Sequence, residues 1–300
     1  MSQYNNNFWW LQQNNDMHEK VHSQVEMLKN NNMERADDNH LFLKLYGAYE
    51  FDTQHHLLQF AKPRSLKSRV GFNICYSMVD TVSNKLGKNR PVPTFLTSDG
   101  DWRNKQKAKL LTKFSKGAFY QSKIYQEFPK VFRDSAIFGT GFLKIYRKGK
   151  KLVAERCLPD EFQVEHMEAV GGKPRQLHQV KYIHADVLKA DFPGFDAEIN
   201  IAAQAESPIQ YGSTEVRSMV KVIESWHLPS GDKSKDGKHC ITISSATLFS
   251  ESYKKDYFPF VFFNWSNPIV GFWGQGLVEQ LLGLHLAINK LLMTSLKTIH

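Results

Sequence analysis

Hydrophobic and polar positions recur along this chain with two periods, and the period changes after Gly141 and again at Gly276. Upstream, Ile74, Met78, Val82 and Leu86 return every fourth residue, with Cys75 and Val79 widening the stripe. That spacing predicts a helix stopped by Gly87 and Pro91. A second helix is expected to begin near Asp101 and to bury Leu110, Leu111, Phe114 and Ala118, with Lys105, Lys109, Lys113 and Lys116 on the opposite side. A third should cover Ile124 to Ile137, kinked or restarted at Pro129. Nearer the start, a short helix is expected over Met17 to Lys29 and another from Asp38 to Glu50, opened by Asp37 and Asp38.

The middle of the chain reads with period two. Phe142, Lys144, Tyr146 and Lys148 alternate with Leu143, Ile145 and Arg147; Gly149 marks a turn, and Leu152 to Arg156 returns as the second strand of a hairpin. Further strands are predicted at Glu161–Glu165, Gln176–His184, Ser218–His227 and His239–Phe249, with turns at Gly171-Gly172 and Ser230-Gly231-Asp232. Helices, then a strand-rich block, then a helix define an α+β fold: a helical N-terminal region, a strand-rich middle and a long C-terminal amphipathic helix.

The closing helix carries the most information. Leu277, Leu281, Leu284, Ile288, Leu291 and Ser295 step by four and three, Val278, Leu282, Leu292, Leu296 and Ile299 form a second ridge, and Glu279, Lys290 and Lys297 fall near one line. A helix apolar around most of its girth must bury several sides, in a bundle core or in a ring of identical subunits. Leu277, Leu281, Leu284, Ile288 and Leu291 are the candidate subunit interface. Lys290 and Lys297 are candidates for a polar strip facing a channel or DNA, or for contacts between subunits. The pattern runs to His300 without a terminating Gly or Pro, so the protein is expected to continue.

Composition narrows the classes. With 41% apolar and 13% aromatic residues, the chain can bury a sizeable core. A net charge of +9 makes an acidic partner plausible, nucleic acid being the commonest. Cys75, Cys157 and Cys240 are odd in number and never in a C-x-x-C pair, which suits a reducing compartment and neither a disulfide framework nor a zinc site. The first residues show no secretory signal, and Leu277–Met293 is too interrupted by polar residues to span a membrane.

Catalytic patterns fare poorly. His18-Glu19-Lys20-Val21-His22 matches H-E-x-x-H, which places two imidazoles on one helix face for zinc with a glutamate as base. It lies in a polar Asn/Gln-rich arm, so an exposed helix is the ordinary reading and a zinc peptidase the alternative. Gly231 to His239 mimics a phosphate loop but is one residue too long and ends in His239. Gly139-Thr140-Gly141 starts a dinucleotide fingerprint, yet Lys144 stands where the third glycine belongs; these glycines suit a sharp helix-to-strand turn. His55-His56 has no ligand spacing. The lysines at 105, 109, 113 and 116 read as a solvated face, with a basic nucleic-acid-binding module as the alternative. Phe8, Trp9 and Trp10 form an aromatic patch suited to docking on a neighbouring molecule.

Several blocks, taken in order, resemble the portal (head–tail connector) proteins of tailed bacteriophages. They are Asn73-Ile74 through Val79-Asp80-Thr81-Val82 leading to Arg90-Pro91; Asp134-Ser135-Ala136-Ile137-Phe138-Gly139-Thr140-Gly141-Phe142-Leu143-Lys144; Leu158-Pro159-Asp160-Glu161-Phe162; and Phe258-Pro259-Phe260-Val261, then Gly274-Gln275-Gly276-Leu277 and Ile288-Asn289. The resemblance covers about Gly71 to Lys290 and rests on order and spacing; the Asn-rich start lies outside it. It implies a homo-oligomeric ring, typically of twelve subunits, at a capsid vertex of the virion, assembled in the host cytoplasm. Double-stranded DNA would pass through it without sequence specificity during packaging and ejection. Terminase large subunit, major capsid protein and tail adaptor proteins would be its partners, with no cofactor, no catalysis and no membrane. On that pattern residues 1–62 form an Asn/Gln-rich arm with peripheral helices, 63–270 a wing-like α+β body, and 271–300 the start of a wing/stem helix.

Overall fold

The computed structural model describes residues 8–12, 14–47, 49–50, 62–63, 72–88, 92–98, 100–205, 218–231 and 234–299. In chain order the elements are α1 (Asn14–Asn31), α2 (Met33–Gly47), β1 (Tyr49–Glu50), β2 (Lys62–Pro63), α3 (Ile74–Gly87), α4 (Trp102–Gln121), α5 (Ile124–Phe138), β3 (Thr140–Lys148), β4 (Lys151–Cys157) and β5 (Phe162–Gln163). Then follow β6 (Gln176–His184), α6 (Ala185–Asp191), α7 (Asp196–Ala205), β7 (Met219–His227), β8 (Lys238–Ile243), β9 (Ala246–Ser252), β10 (Phe260–Asn264) and α8 (Leu277–Ile299). Helices with antiparallel sheets make this an α+β chain. His55-His56, Arg90-Pro91 and residues 232–233 of the phosphate-loop mimic lie outside the described residues.

The chain folds as two compact units, each drawn from separated stretches of sequence. The first comprises Met1–Ala36, Asp160–Phe258 and Ile269–Phe272. Its centre is an antiparallel sheet in the order β5-β6-β7-β8-β9. Because side chains alternate across a strand, neighbours on β7 serve opposite faces. Val220 and Val222 pack with Ala185, Leu188, Ile199 and Ala202 from α6 and α7. Ile223 packs instead with Cys240 and with Trp9, Met17, Val21 and Val25 from the arm and α1. The sheet is therefore a filling between two helical layers. Of the Phe8–Trp10 patch, expected to dock on a neighbouring molecule, Trp9 is spent inside the chain, fully buried with its indole donating to Gln176 Oε1 at 3.1 Å, while Phe8 stays exposed.

The second unit comprises Asp37–Pro159, Pro259–Pro268 and Trp273–His300. A three-stranded antiparallel sheet, β10-β3-β4, carries α5 on one side. Val131 and Ile124 from α5 pack with Leu143 and Ala154 there. The other side of α5 joins α3 and α8 in a core of Cys75, Val79, Ala136, Ile137, Phe138 and Val278, with Phe42 from α2. Asn73 caps α3 by accepting from Tyr76 N, and Asp101 caps α4 by accepting from Arg103 N. Between α4 and α5 the chain breaks at Lys123, which sits in the left-handed region (φ 59°).

Several expectations are corrected. The α3 stripe is rotated: Cys75, Val79 and Ser83 are buried and Met78 is exposed. Asp37 and Asp38 lie within α2, which starts at Met33. Pro129 sits inside an unbroken α5. The strand expected over Glu161–Glu165 shrinks to β5, and the single strand expected over His239–Phe249 is a hairpin, β8 and β9, turning at Ser244 and Ser245. The largest reversal is α4. Its apolar stripe was expected to be covered, yet Phe114 is 73% and Leu110 65% exposed, and the helix buries Ala108 instead.

Candidate functional site

The side chains proposed for function fall into three places. On α8, Leu277 and Leu281 turn inward and pack on the α3–α5 core. Leu284 (53% exposed) and Leu291 (67%) point outward, and Ile288 is half-buried between them. The five candidate interface residues thus divide between the unit's own core and an open apolar ridge. Lys290 is exposed, and the side chain of Lys297 lies outside the described residues. Asn289 clasps the backbone ahead of α3: its Oδ1 accepts from Phe72 N at 2.8 Å and its Nδ2 donates to Phe72 O at 3.1 Å. That clasp ties α8 to α3 as a strand pair would.

Most of the blocks that carry the portal resemblance fall in this same unit, although Asp160-Glu161-Phe162 and Phe258 belong to the first. Gly139 has φ +89°, and a Cβ there would lie 1.9 Å from Gly274 O. The Thr140 hydroxyl donates to Asn264 Oδ1 at 2.9 Å and accepts from Gly274 N at 2.8 Å. Gly139 O accepts from Trp265 N at 2.9 Å. One level away, the buried Asp134 receives a two-pronged ion pair from Arg156, with Nε on Oδ2 at 2.5 Å and NH2 on Oδ1 at 2.6 Å. Fork-to-fork geometry fixes the orientation of both groups. These residues position backbone; none is arranged as nucleophile and base.

The motif residues His18, Glu19 and His22 lie on α1 as the spacing required. His22 faces Lys221 and Glu26, and among the described residues no group of three or more His, Cys, Asp or Glu has metal-holding geometry. A Ser–His–Asp grouping, invisible in the sequence, forms where β7 ends, but its wiring is wrong for nucleophilic catalysis. Ser230 Oγ bonds to the Asp236 carboxylate and not to the imidazole of His227. Arg175 can only donate, so His227 Nε2 accepts from it at 3.3 Å and Nδ1 carries the hydrogen given to Asp236 O at 3.1 Å. The imidazole has no free nitrogen to act as base.

Three neutral imidazoles lie at this face of the sheet, His178 and His227 on its strands and His22 on α1 above it. Burial pushes His178 down to about 3 from the ordinary 6.5. Burial, then Lys221 and His18, lowers His22 to about 4; burial, then Arg175, lowers His227 to about 4. Trp10 stacks on His227 with ring centroids 4.1 Å apart, and His178 Nδ1 meets Ser225 Oγ at 2.7 Å. The folded values lie below the unfolded one, so the unfolded chain takes up protons first as pH falls. Stability of the first unit should therefore be complete above about pH 6.5 and decline steadily toward pH 4. Urea midpoints followed by tryptophan fluorescence between about pH 7 and pH 5 test this, and His178→Phe should flatten the slope. An unchanged slope in that variant would count against it.

Charge is unequally shared. By sequence, the second unit holds 25 Lys/Arg against 11 Asp/Glu (net +14), and the first 14 against 19 (net −5), which together give the chain's +9. Within α4 there are six basic residues and no acidic one. Among the described residues no helix is long and apolar enough to cross a membrane. No protein-family model matches the chain, and no curated protein matches it.

Proposed function

We propose that this chain is the body of a portal subunit of a tailed bacteriophage, a structural part of a ring at the capsid vertex. The ring would conduct double-stranded DNA and attach terminase, capsid and tail adaptors. The observation that carries the reading is the open apolar ridge of α8, with Leu284 and Leu291 uncovered on a helix whose first turns pack into a core. Closed homo-oligomers cover such ridges with the next subunit. Two further features support it: the resemblance-bearing blocks build backbone crossings instead of a catalytic pocket, and Lys290 is exposed on the same helix. Sparse basic residues along α8, where the channel-facing candidates lie, suit a conduit, because each neutralised phosphate adds affinity and dense contacts would stall sliding.

Negative-stain images and mass photometry of the purified protein test the proposal. Closed rings with a central hole are expected, and Leu284→Asp with Leu291→Asp should reduce them to monomers of unchanged circular dichroism. Wild-type protein that remains monomeric at every concentration reached would overturn it.

A further inference from the structure

The outward half of α4 has two stripes. At about 100° per residue, Lys105, Lys109, Lys113 and Lys116 fall within an arc of about 80°, and Leu110, Phe114 and Leu111 lie in an adjoining arc of about 100°, which Arg103 and Lys107 enter nearer the helix start. Both stripes are solvent-exposed, because the helix uses Ala108 and Phe119 to touch its own unit. An apolar stripe flanked by cations fits a surface that is apolar and acidic. The chain carries both features on α6 and α7: Val187 and Ile201 are exposed, and so are the acids Asp186, Asp191 and Asp196 of the same two helices. Those helices belong to the unit of net charge −5, whereas α4 belongs to the unit of net charge +14.

We infer that α4 of one copy docks on the α6–α7 surface of a second copy, a head-to-tail contact joined by matched charge and apolar area. A contact between two different surfaces leaves one of each free on every dimer, so it propagates, and closes when the rotation per step permits. This deepens the ring reading and rests on it for the identity of the occupant. It also makes association sensitive to salt, since the rim charges are screened within about 10 Å at about 0.1 M.

The test uses the full chain in sedimentation velocity. Wild type should associate, and more weakly at high salt. Leu110→Asp with Phe114→Asp should weaken association about tenfold or more. A charge-swap pair separates this contact from general stickiness. Lys109→Glu with Lys113→Glu in one protein, and Asp191→Lys with Asp196→Lys in another, should each fail to self-associate, and mixing them should restore association. Circular dichroism confirms that each variant is folded. Folded variants that associate like wild type, or a mixture that does not recover, would overturn the inference. So would a monomeric wild type whose α4 lysines instead bind duplex DNA or anionic vesicles. Recovery that yields only pairs or open chains would leave the α4 contact standing and sink the ring. Rings indifferent to every α4 substitution would do the reverse.

Discussion

A Gly139→Val protein is expected to lose about 4 kcal/mol of unfolding free energy, or to fail to accumulate in soluble form. Two penalties combine. The backbone sits at φ +89°, where a β-branched residue is strained, and the new Cβ would lie 1.9 Å from Gly274 O and 2.6 Å from its carbonyl carbon. Neither strand can step aside, because Trp265 N holds Gly139 O and Thr140 Oγ1 holds Gly274 N. Gly149 provides the control. Its φ is +62°, yet nothing lies within 4 Å of a Cβ there, so Gly149→Ala should cost only about 1 kcal/mol of backbone strain. Urea denaturation of both variants separates the contributions, and equal losses would show that the crossing is not close-packed.

Arg156→Met should cost about 3 kcal/mol, since it strands the Asp134 carboxylate, 1% exposed, without its two-pronged partner. The outer part of Arg156 is partly exposed, and water reaching the gap moderates the loss. Removing both charges should hurt less than removing one, so Arg156→Met with Asp134→Leu is expected to be more stable than Arg156→Met alone. A double variant no better than the single one would mean that the pair contributes through packing instead of charge.

Most of the regular structure was legible because local pattern and tertiary burial agree. α3, β6 and the β3–β4 hairpin fall where periodicity and Gly149 place them. The β8–β9 hairpin was hidden because Ser244-Ser245 has none of the glycine, asparagine or aspartate that marks a two-residue hairpin turn. α6 and α7 are too short to signal alone; they form where Leu188, Ile199 and Ala202 find Val220 and Ile243 on the sheet. β10, five residues beside Pro259, acquires its strand character by pairing with β3. The α4 reversal has a different cause. A helical period reports which positions share a face and says nothing of what lies against it. The same holds for α8, where one stripe reads as continuous but splits between an inward and an outward half. Of the arm's chemistry, the H-E-x-x-H spacing and Glu26, one helical turn beyond His22, were legible; Lys221 was not, because it comes near His22 only through the fold.

Both compact units are assembled from stretches that interleave in sequence, and this sets the order in which a nascent chain can finish. The sheet of the first unit needs α1, made at the outset, and β9, made past residue 250. The second unit waits for β10 and α8, which are made after β9. The first unit lacks its last stretch until Phe272 is made, and the second still waits for α8 after that, so both mature late and close in time. A cell that makes such a chain must shelter two unfinished cores at once, and no single cut in the gene yields either one whole.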